Sequence, residues 1–474
     1  LDERVDTVVI GTGFASSFFL REYLRHAPRN ARVLVLEKGR KYPYSWKLEH
    51  QSNTDFDLKD AIVNKTPQKP WIQNIAFGGG SCWTGTTPRP HPSDFELRTR
   101  FGVGDDWPIR YADLEPYLTE VEYAMGIGGA DGGPFPRSRP YPAPPHTLNG
   151  FDEALAAKYP GLYLPMPSAR SSSGATGRPV CCANGICGLC PIGAKFQVDL
   201  HMNDVYSDPR VTLQLESGVD GLDIQSGTVR GVHYQRNGKR KRVGCDLVAL
   251  GAHAIFNPYI MLRSGLDDRA LGRYLNEQFS VGVQINLDGL DSLDGGQQVT
   301  GLGVMFHDEV DRSKHATYNI ESWNVPWLRA ERGRWRQRAF IKFIVEDLPS
   351  EENYVRVSTT DESKPEIHYP ALSHYTKTGI DAVPAFAEKL FEGLPVEDYV
   401  VREHDGLGSS AHIQGTTRMG KDPATSVVDR GLIHHRVRNL VVLGSGVFPT
   451  CPAANPTLIL SALSVLAARE LMRS

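Results

Sequence analysis

VDTVVIGTGFASSFFLREYL, residues 5–24, changes its hydrophobic period at Gly11. Ahead of that glycine lies a short β-branched apolar run that reads as a buried strand; behind it Phe18, Phe19, Leu20, Tyr23 and Leu24 fall at helical spacing. Gly11 suits the tight turn between them. Gly13 lets the backbone close on a pyrophosphate, which then rests on the unpaired N–H groups that open the helix at Phe14 and Ala15. Ser16 stands in for the third glycine of this fingerprint. The next apolar run, RVLVLEKG, ends on Glu37, spaced so that its carboxylate can accept hydrogen bonds from an adenosine ribose. Strand, turn, helix and acid together predict a dinucleotide site; the turn alone would serve equally in an ordinary βαβ corner.

With 474 residues, 40% of them apolar, the chain can bury a large core divided between two closely packed lobes. A net charge of −3 gives no basic field to attract nucleic acid or anionic lipid, so partners of those classes are not expected. No run reaches the roughly 18 unbroken apolar residues of a membrane span; the nearest, Leu458 to Met472, is interrupted by Ser461, Ser464, Arg469 and Glu470. The sequence begins at Leu1, which leaves open whether a targeting segment precedes it. A cytoplasmic location is expected, or a periplasmic one reached by co-export with a partner.

The late segment NLVVLGSGVFPTCPAANPTLILSALSVLAARELM supplies another strand, another glycine turn and a closing helix. A nicotinamide domain is usually contiguous, whereas a chain that returns to its first strand suits FAD, whose ring lies far from its pyrophosphate. This organisation resembles the glucose-methanol-choline oxidoreductase family, and further stretches carry the likeness in order: FGGGSCWTGTTPRP from Phe77, DDWPIRYADLEPYLTEVE from Asp105, CDLVALGAHAIFNPYIMLRSG from Cys245, AHIQGTTRMG from Ala411 and NPTLILSAL from Asn455. The pattern is nearest to flavin and iron–sulfur sugar and polyol dehydrogenases, with some features like those of pyranose oxidases. The resemblance implies an α/β fold with a Rossmann-like FAD-binding domain from residues 1–130, 165–280 and 408–474. A connector would occupy 131–164, and a mainly antiparallel substrate-binding domain 281–407. It also places Gly79, Gly80, Ser81, Cys82, Val219, Pro456 and Thr457 beside the flavin cofactor, with Gly444 and Ser445 where relatives often carry Asp-Gly. Cys82 stands where some relatives attach FAD through histidine, so noncovalent FAD is expected, with Cys82 as a small buried hydrophobe.

Oxidising an alcohol requires a base at the hydroxyl and a hydride acceptor at the carbon. By resemblance His412 is the base, and Asn455 fills the paired position. A neutral imidazole accepts the proton, while an amide can only hold the oxygen. Structurally, Asn455 before Pro456 is also a good helix N-cap. His434 and His435 read as a solvated turn, and His253 has no evident partner.

CCANGICGLC puts Cys181, Cys182, Cys187 and Cys190 within ten residues. Three readings stand: zinc, a metal-free loop, and an iron–sulfur cluster whose separate irons could take adjacent thiolates. The C-C-x4-C spacing resembles relatives that hold a 3Fe–4S cluster, implying Cys181, Cys182 and Cys187 as ligands and leaving Cys190 open. Such relatives work with a small partner subunit and a cytochrome. The expected function is therefore FAD-dependent oxidation of a sugar-like or polyol alcohol, with electrons leaving through the cluster. Alternatives are an oxygen-using, peroxide-forming oxidase and a non-catalytic flavin binder. VGVQINL, RAFIKFIVE and YVRVST predict antiparallel strands of the substrate lobe. The Trp- and Arg-rich stretch after Tyr318 reads as loop and solvated helical face, or as offering Trp323 or Trp327 to a sugar ring.

Overall fold

The computed structural model describes residues 4–66, 75–185, 187–307, 309–370, 372–402 and 410–473. A five-stranded parallel sheet runs in the order Leu440–Val442, Leu247–Leu250, Thr7–Ile10, Val33–Leu36, Val211–Gln214. The strand Thr7–Ile10 is buried along its whole length, as its unbroken apolar sequence requires of a strand covered on both faces. The helix Phe14–His26 packs on the closing helix Pro456–Arg473, so the first and last elements of the fold share one hydrophobic core. The chain leaves Thr7–Ile10 toward Val33–Leu36 and later returns to its other side at Leu247–Leu250. That reversal opens a crevice at the carboxyl ends of the strands.

The second layer is a six-stranded antiparallel sheet in the order Val396–Arg402, Phe279–Leu287, Arg338–Val345, Tyr318–Trp323, Val299–Gly303, Tyr163–Pro165. Along Phe279–Leu287 buried residues alternate, and Phe279, Val281, Val283, Ile285 and Leu287 join the core formed with helix His374–Phe391. Period two then dictates that Ser280, Glu321, Trp323, Lys342 and Ile344 share the opposite face, because Glu321 lies directly across from Lys342 and Ser280 across from Ile344. That face looks toward the crevice.

YVRVST departs from expectation: Tyr354–Val357 pairs with Pro365–His368 in a separate three-stranded sheet. From 131 to 149 the proline-rich stretch forms neither helix nor strand, but helix Gly150–Lys158 follows it, and Tyr163–Pro165 is an edge strand of the antiparallel sheet. The Trp- and Arg-rich stretch is loop from 324 to 337, with no helical face. His434 is fully buried, its Nε2 3.0 Å from Asp268 Oδ2, which corrects its reading as solvated; its polar neighbours in sequence concealed a partner 166 residues away. No helix among the described residues is long and apolar enough to cross a membrane.

Candidate active site

Between the two sheets lies a cavity of about 900 Å³, at the upper end of the range for small-molecule sites. One end is framed by Gly11, Gly13, Phe14 and Ala15, the turn that joins the first strand to its helix. Gly11 has φ +88°, and a Cβ there would stand 2.4 Å from the Gly251 carbonyl oxygen, so only glycine lets the two βα turns meet. A Cβ on Gly13 would meet nothing within 4 Å, which leaves the helix N-terminus open to a ligand. Ser16, in the third fingerprint position, turns its hydroxyl toward the Ile10 and Gly251 carbonyls at 3.4 and 3.5 Å.

Glu37 borders the same end, but its carboxylate is already engaged. It accepts from the Thr12 N–H at 3.0 Å, the Thr12 hydroxyl at 2.7 Å and the Gly39 N–H at 2.6 Å. Three of about four acceptor sites are thus taken, leaving about one for a ribose hydroxyl. Burial nevertheless raises its pKa against those three donors. Val219 lines the cavity nearby. Gly79 and Cys82 border it from the second glycine-rich stretch, whereas Gly80 and Ser81 do not: Gly80 packs against Val198, and the Ser81 carbonyl accepts from Gln197 Nε2 at 3.0 Å. Burial pushes the Cys82 thiol up to about 11, leaving it protonated and a poor nucleophile.

At the other end the cavity reaches His412 and Asn455, with Gly444, Ser445, Pro456 and Thr457 beside them. Backbone bonds bring these segments together: Gly415 N–H donates to Ser445 O, Thr417 N–H to Gly446 O and Met419 N–H to Val447 O. The Ser445 hydroxyl adds a bond to Ile413 O at 2.7 Å. Ala411, just before the histidine, holds a left-handed φ of +65°. Burial, reinforced by the nearby charge of Lys342, pushes the His412 pKa down to about 4, so its imidazole is neutral at ordinary pH. Asn455 Oδ1 is buried and has no hydrogen-bond partner among the described residues, so it does not cap the helix that starts at Pro456.

Two further residues complete this end and were not anticipated. Glu321 is buried, its carboxylate bonded by the Asn455 side chain and by Trp323 Nε1–H at 3.2 Å, and burial raises its pKa. Lys342, its cross-strand neighbour, holds its ammonium 4.1 Å from the Trp323 ring centroid, and burial lowers its pKa. An acid and an amine inside strands that are otherwise mostly apolar, YNIESW and RAFIKFIV, were the available signal. Trp323 lines the cavity; Trp327 is exposed and packs on Phe340 outside it. His253 also borders the cavity with φ +85°; its Nδ1 accepts from the Ile255 N–H, and burial lowers its pKa to about 4.

Among the described residues, which exclude Ile186, no three His, Cys, Asp or Glu side chains are placed to hold one ion. Cys182 is exposed, Cys187 is buried and accepts from Arg170 Nη1, and Cys181 Sγ lies 3.9 Å from that same nitrogen. Backbone amides of Ile192, Ala194 and Lys195 lower the Cys190 pKa against its burial. The loop is nevertheless fastened to the cavity wall: Arg170 Nε donates to Thr84 O at 2.8 Å, and Lys195 Nζ donates to Trp83 O at 2.6 Å and Cys187 O at 2.8 Å.

Residues 349–464 match the family described as GMC oxidoreductase. The chain is 24% identical to the fructose dehydrogenase large subunit of Gluconobacter japonicus, over 98% of this chain and 97% of that protein. It is 26% identical to paromamine 6'-oxidase of Streptomyces fradiae, covering 99% and 91%. Among solved structures it superposes on pyridoxine 4-oxidase from Mesorbium loti with a TM-score of 0.71 at 18% identity, over 99% of this chain and all of the other, a likeness of fold.

Proposed function

We propose that the chain, whose residues 349–464 match the GMC oxidoreductase family, is an FAD-dependent enzyme that oxidises a hydroxyl of a sugar-like or polyol substrate to a carbonyl. The observation that carries the reading is the convergence of His412 and Asn455 on one end of a cavity whose other end is the dinucleotide turn. The cavity fits FAD by the chemistry of its walls. The open helix start at Gly13 suits the pyrophosphate, the remaining acceptor site of Glu37 suits the ribose, and Pro456 and Thr457, which line the same cavity at the start of a second helix, would border the ring. When bound, FAD supplies the hydride acceptor.

The protein's own residues do the rest. His412 takes the hydroxyl proton on its ring nitrogen, which a pKa near 4 keeps free to accept. Asn455 gives one amide hydrogen to Glu321 and offers the other to the substrate oxygen. The Lys342 ammonium makes no hydrogen bond within the described residues, so it remains available to a substrate oxygen, and its charge favours alkoxide character. Glu321 and Lys342 facing each other across the strands suit a ligand with several hydroxyls, each able to donate to the acid and accept from the amine. The relatives' names, a fructose dehydrogenase subunit and a paromamine oxidase, support the same class.

The test is anaerobic bleaching of the FAD-loaded protein by a panel of hexoses, polyols and aminoglycosides. At least one sugar-class alcohol should reduce the wild type and fail to reduce His412→Ala at a comparable rate. Reduction by simple aliphatic alcohols only, or equal rates in the two proteins, overturns the reading. A second reading, electron exit through an iron–sulfur cluster at Cys181, Cys182 and Cys187, draws on the loop's attachment to Trp83 and Thr84 in the cavity wall. Among the described residues the thiols are not gathered around one ion, and the oxidation half-reaction does not depend on them. Iron and acid-labile sulfide per flavin in anaerobically purified protein separate it from an oxygen-using enzyme that forms peroxide.

A further inference from the structure

The side chain of Gln278 lies outside the cavity lining, yet it joins three segments that meet at the site. Its Nε2 donates to Pro452 O at 2.5 Å and to Ala454 O at 2.7 Å, which uses both amide hydrogens. Both partners are carbonyls and can only accept. The amide therefore cannot be reversed without setting its oxygen against two others, and Oε1 is fixed in the direction of His412. Oε1 lies 2.6 Å from His412 Nδ1. An acceptor at that distance requires hydrogen on Nδ1, and in a neutral imidazole this leaves the lone pair on Nε2.

The backbone reinforces the arrangement. Asn276 and Gln414 exchange N–H···O bonds at 3.1 and 2.9 Å, and the His412 N–H donates to Glu277 Oε1 at 3.0 Å. Residues 276–278 thus clamp 412–414, while the Gln278 amide extends the clamp to the segment ending at Asn455. We propose that Gln278 is a positioning residue that holds His412 as its Nδ1–H tautomer and sets the base against the Asn455 segment, without touching substrate or cofactor. In the reaction the substrate proton moves to His412 Nε2 while the Nδ1–H stays donated to Gln278 Oε1, so no proton passes through the amide.

This inference rests on His412 being the base, but its first test does not use turnover. In FAD-loaded protein labelled with 15N in the histidine rings, and assigned by comparison with His412→Ala, the His412 signals should show protonated Nδ1 and unprotonated Nε2 at pH 7. Protonated Nε2 in the wild type overturns the proposal. In Gln278→Leu the preference should fall to a mixture of tautomers, and flavin reduction by the probe D-fructose should slow at least about tenfold. An unchanged tautomer in that variant also overturns it. If Gln278→Leu does not fold, Gln278→Glu gives the second measurement: a carboxylate facing Nδ1 should move His412 protonation toward higher pH, and no movement counts against the proposal. Should D-fructose and every other alcohol fail to reduce the wild type, the functional reading falls, while the ring spectrum still decides the tautomer.

Discussion

The two ends of the cavity are held by different kinds of constraint. At the nucleotide end the backbone is the constraint: Gly11 at φ +88° lies against the Gly251 carbonyl, and the helix start beyond Gly13 is left clear. At the reacting end side chains are the constraint. Gln278 bonds three segments, Glu321 bonds Asn455, and Lys342 faces Glu321 across a strand pair. A backbone contact such as that of Gly11 with Gly251 leaves no room for an added atom, whereas the side-chain constraints can be altered one hydrogen bond at a time. Substitutions at the two ends should therefore fail in different ways, by loss of cofactor and fold at one and loss of rate at the other.

The sharpest way to break that contrast is Gly11→Ala. A Cβ 2.4 Å from a backbone oxygen, on a residue at positive φ, cannot be relieved by rotating a side chain, so a loss of about 3 kcal/mol or more is expected, with no flavin retained. Gly13→Ala, with nothing within 4 Å of the new methyl, should fold with a near-normal melting temperature and only bind FAD more weakly. Thermal unfolding and the flavin-to-protein absorbance ratio read both. Equal behaviour of the two variants would remove the backbone argument.

At the reacting end His412→Ala should keep its flavin and slow reduction by substrate about 10²–10⁴-fold, the usual contribution of a positioned base. Asn455→Ala should cost less, about 10–10²-fold in reduction rate, because it removes one hydrogen bond to the reacting oxygen and leaves the base in place. Rapid-mixing absorbance at the flavin band measures both, and a larger effect at Asn455 than at His412 would reverse their assigned roles.

Acid provides a test of burial beyond the cavity as well as within it. His146, His253, His307 and His412 are each pushed by burial to about 4. Above pH 6.5 they are neutral whether folded or not and the shift has no effect on stability. Below it the unfolded chain takes up protons that the native chain refuses, so stability falls as pH drops from 6.5 toward 4, by a few kcal/mol at most for each group. The melting temperature should decline over that window, and His307→Asn, away from the cavity, should flatten the decline. A melting temperature that rises on acidification contradicts the burial of these rings.

These constraints also explain which parts were legible in advance. The turn at Gly11, the acid at Glu37 and the return of the chain at Leu440 are local patterns with a single physical reading, and they carried the α/β fold. His412 and Asn455 came only from resemblance, because nothing near either residue in sequence says that they meet. Glu321 and Lys342 were missed because strand alternation says which residues share a face but not which face meets the cavity. Gln278 left no signal, since its role depends on carbonyls 174 and 176 residues away. The cysteine loop stands differently: its spacing suggested a gathered site, whereas among the described residues Arg170 Nη1 lies against Cys187 and near Cys181, and Cys182 is exposed.

The smallest expected effect sharpens the comparison at the mouth of the substrate lobe, where two tryptophans lie four residues apart. Trp323 lines the cavity, carries Lys342 over its ring at 4.1 Å and donates its N–H to Glu321, whereas Trp327 packs on Phe340 with 43% of its surface exposed. Trp323→Phe keeps an aromatic face but removes the donor to a buried carboxylate. That loss should cost about 1 kcal/mol, seen as a rise of roughly fivefold in KM for the reducing alcohol with little change in the limiting reduction rate. Trp327→Phe should leave both constants within about twofold. A KM effect at Trp327 equal to that at Trp323 would mean that substrate reaches beyond the cavity face of the sheet, and the boundary of the reacting end would have to be redrawn around the loop from 324 to 337.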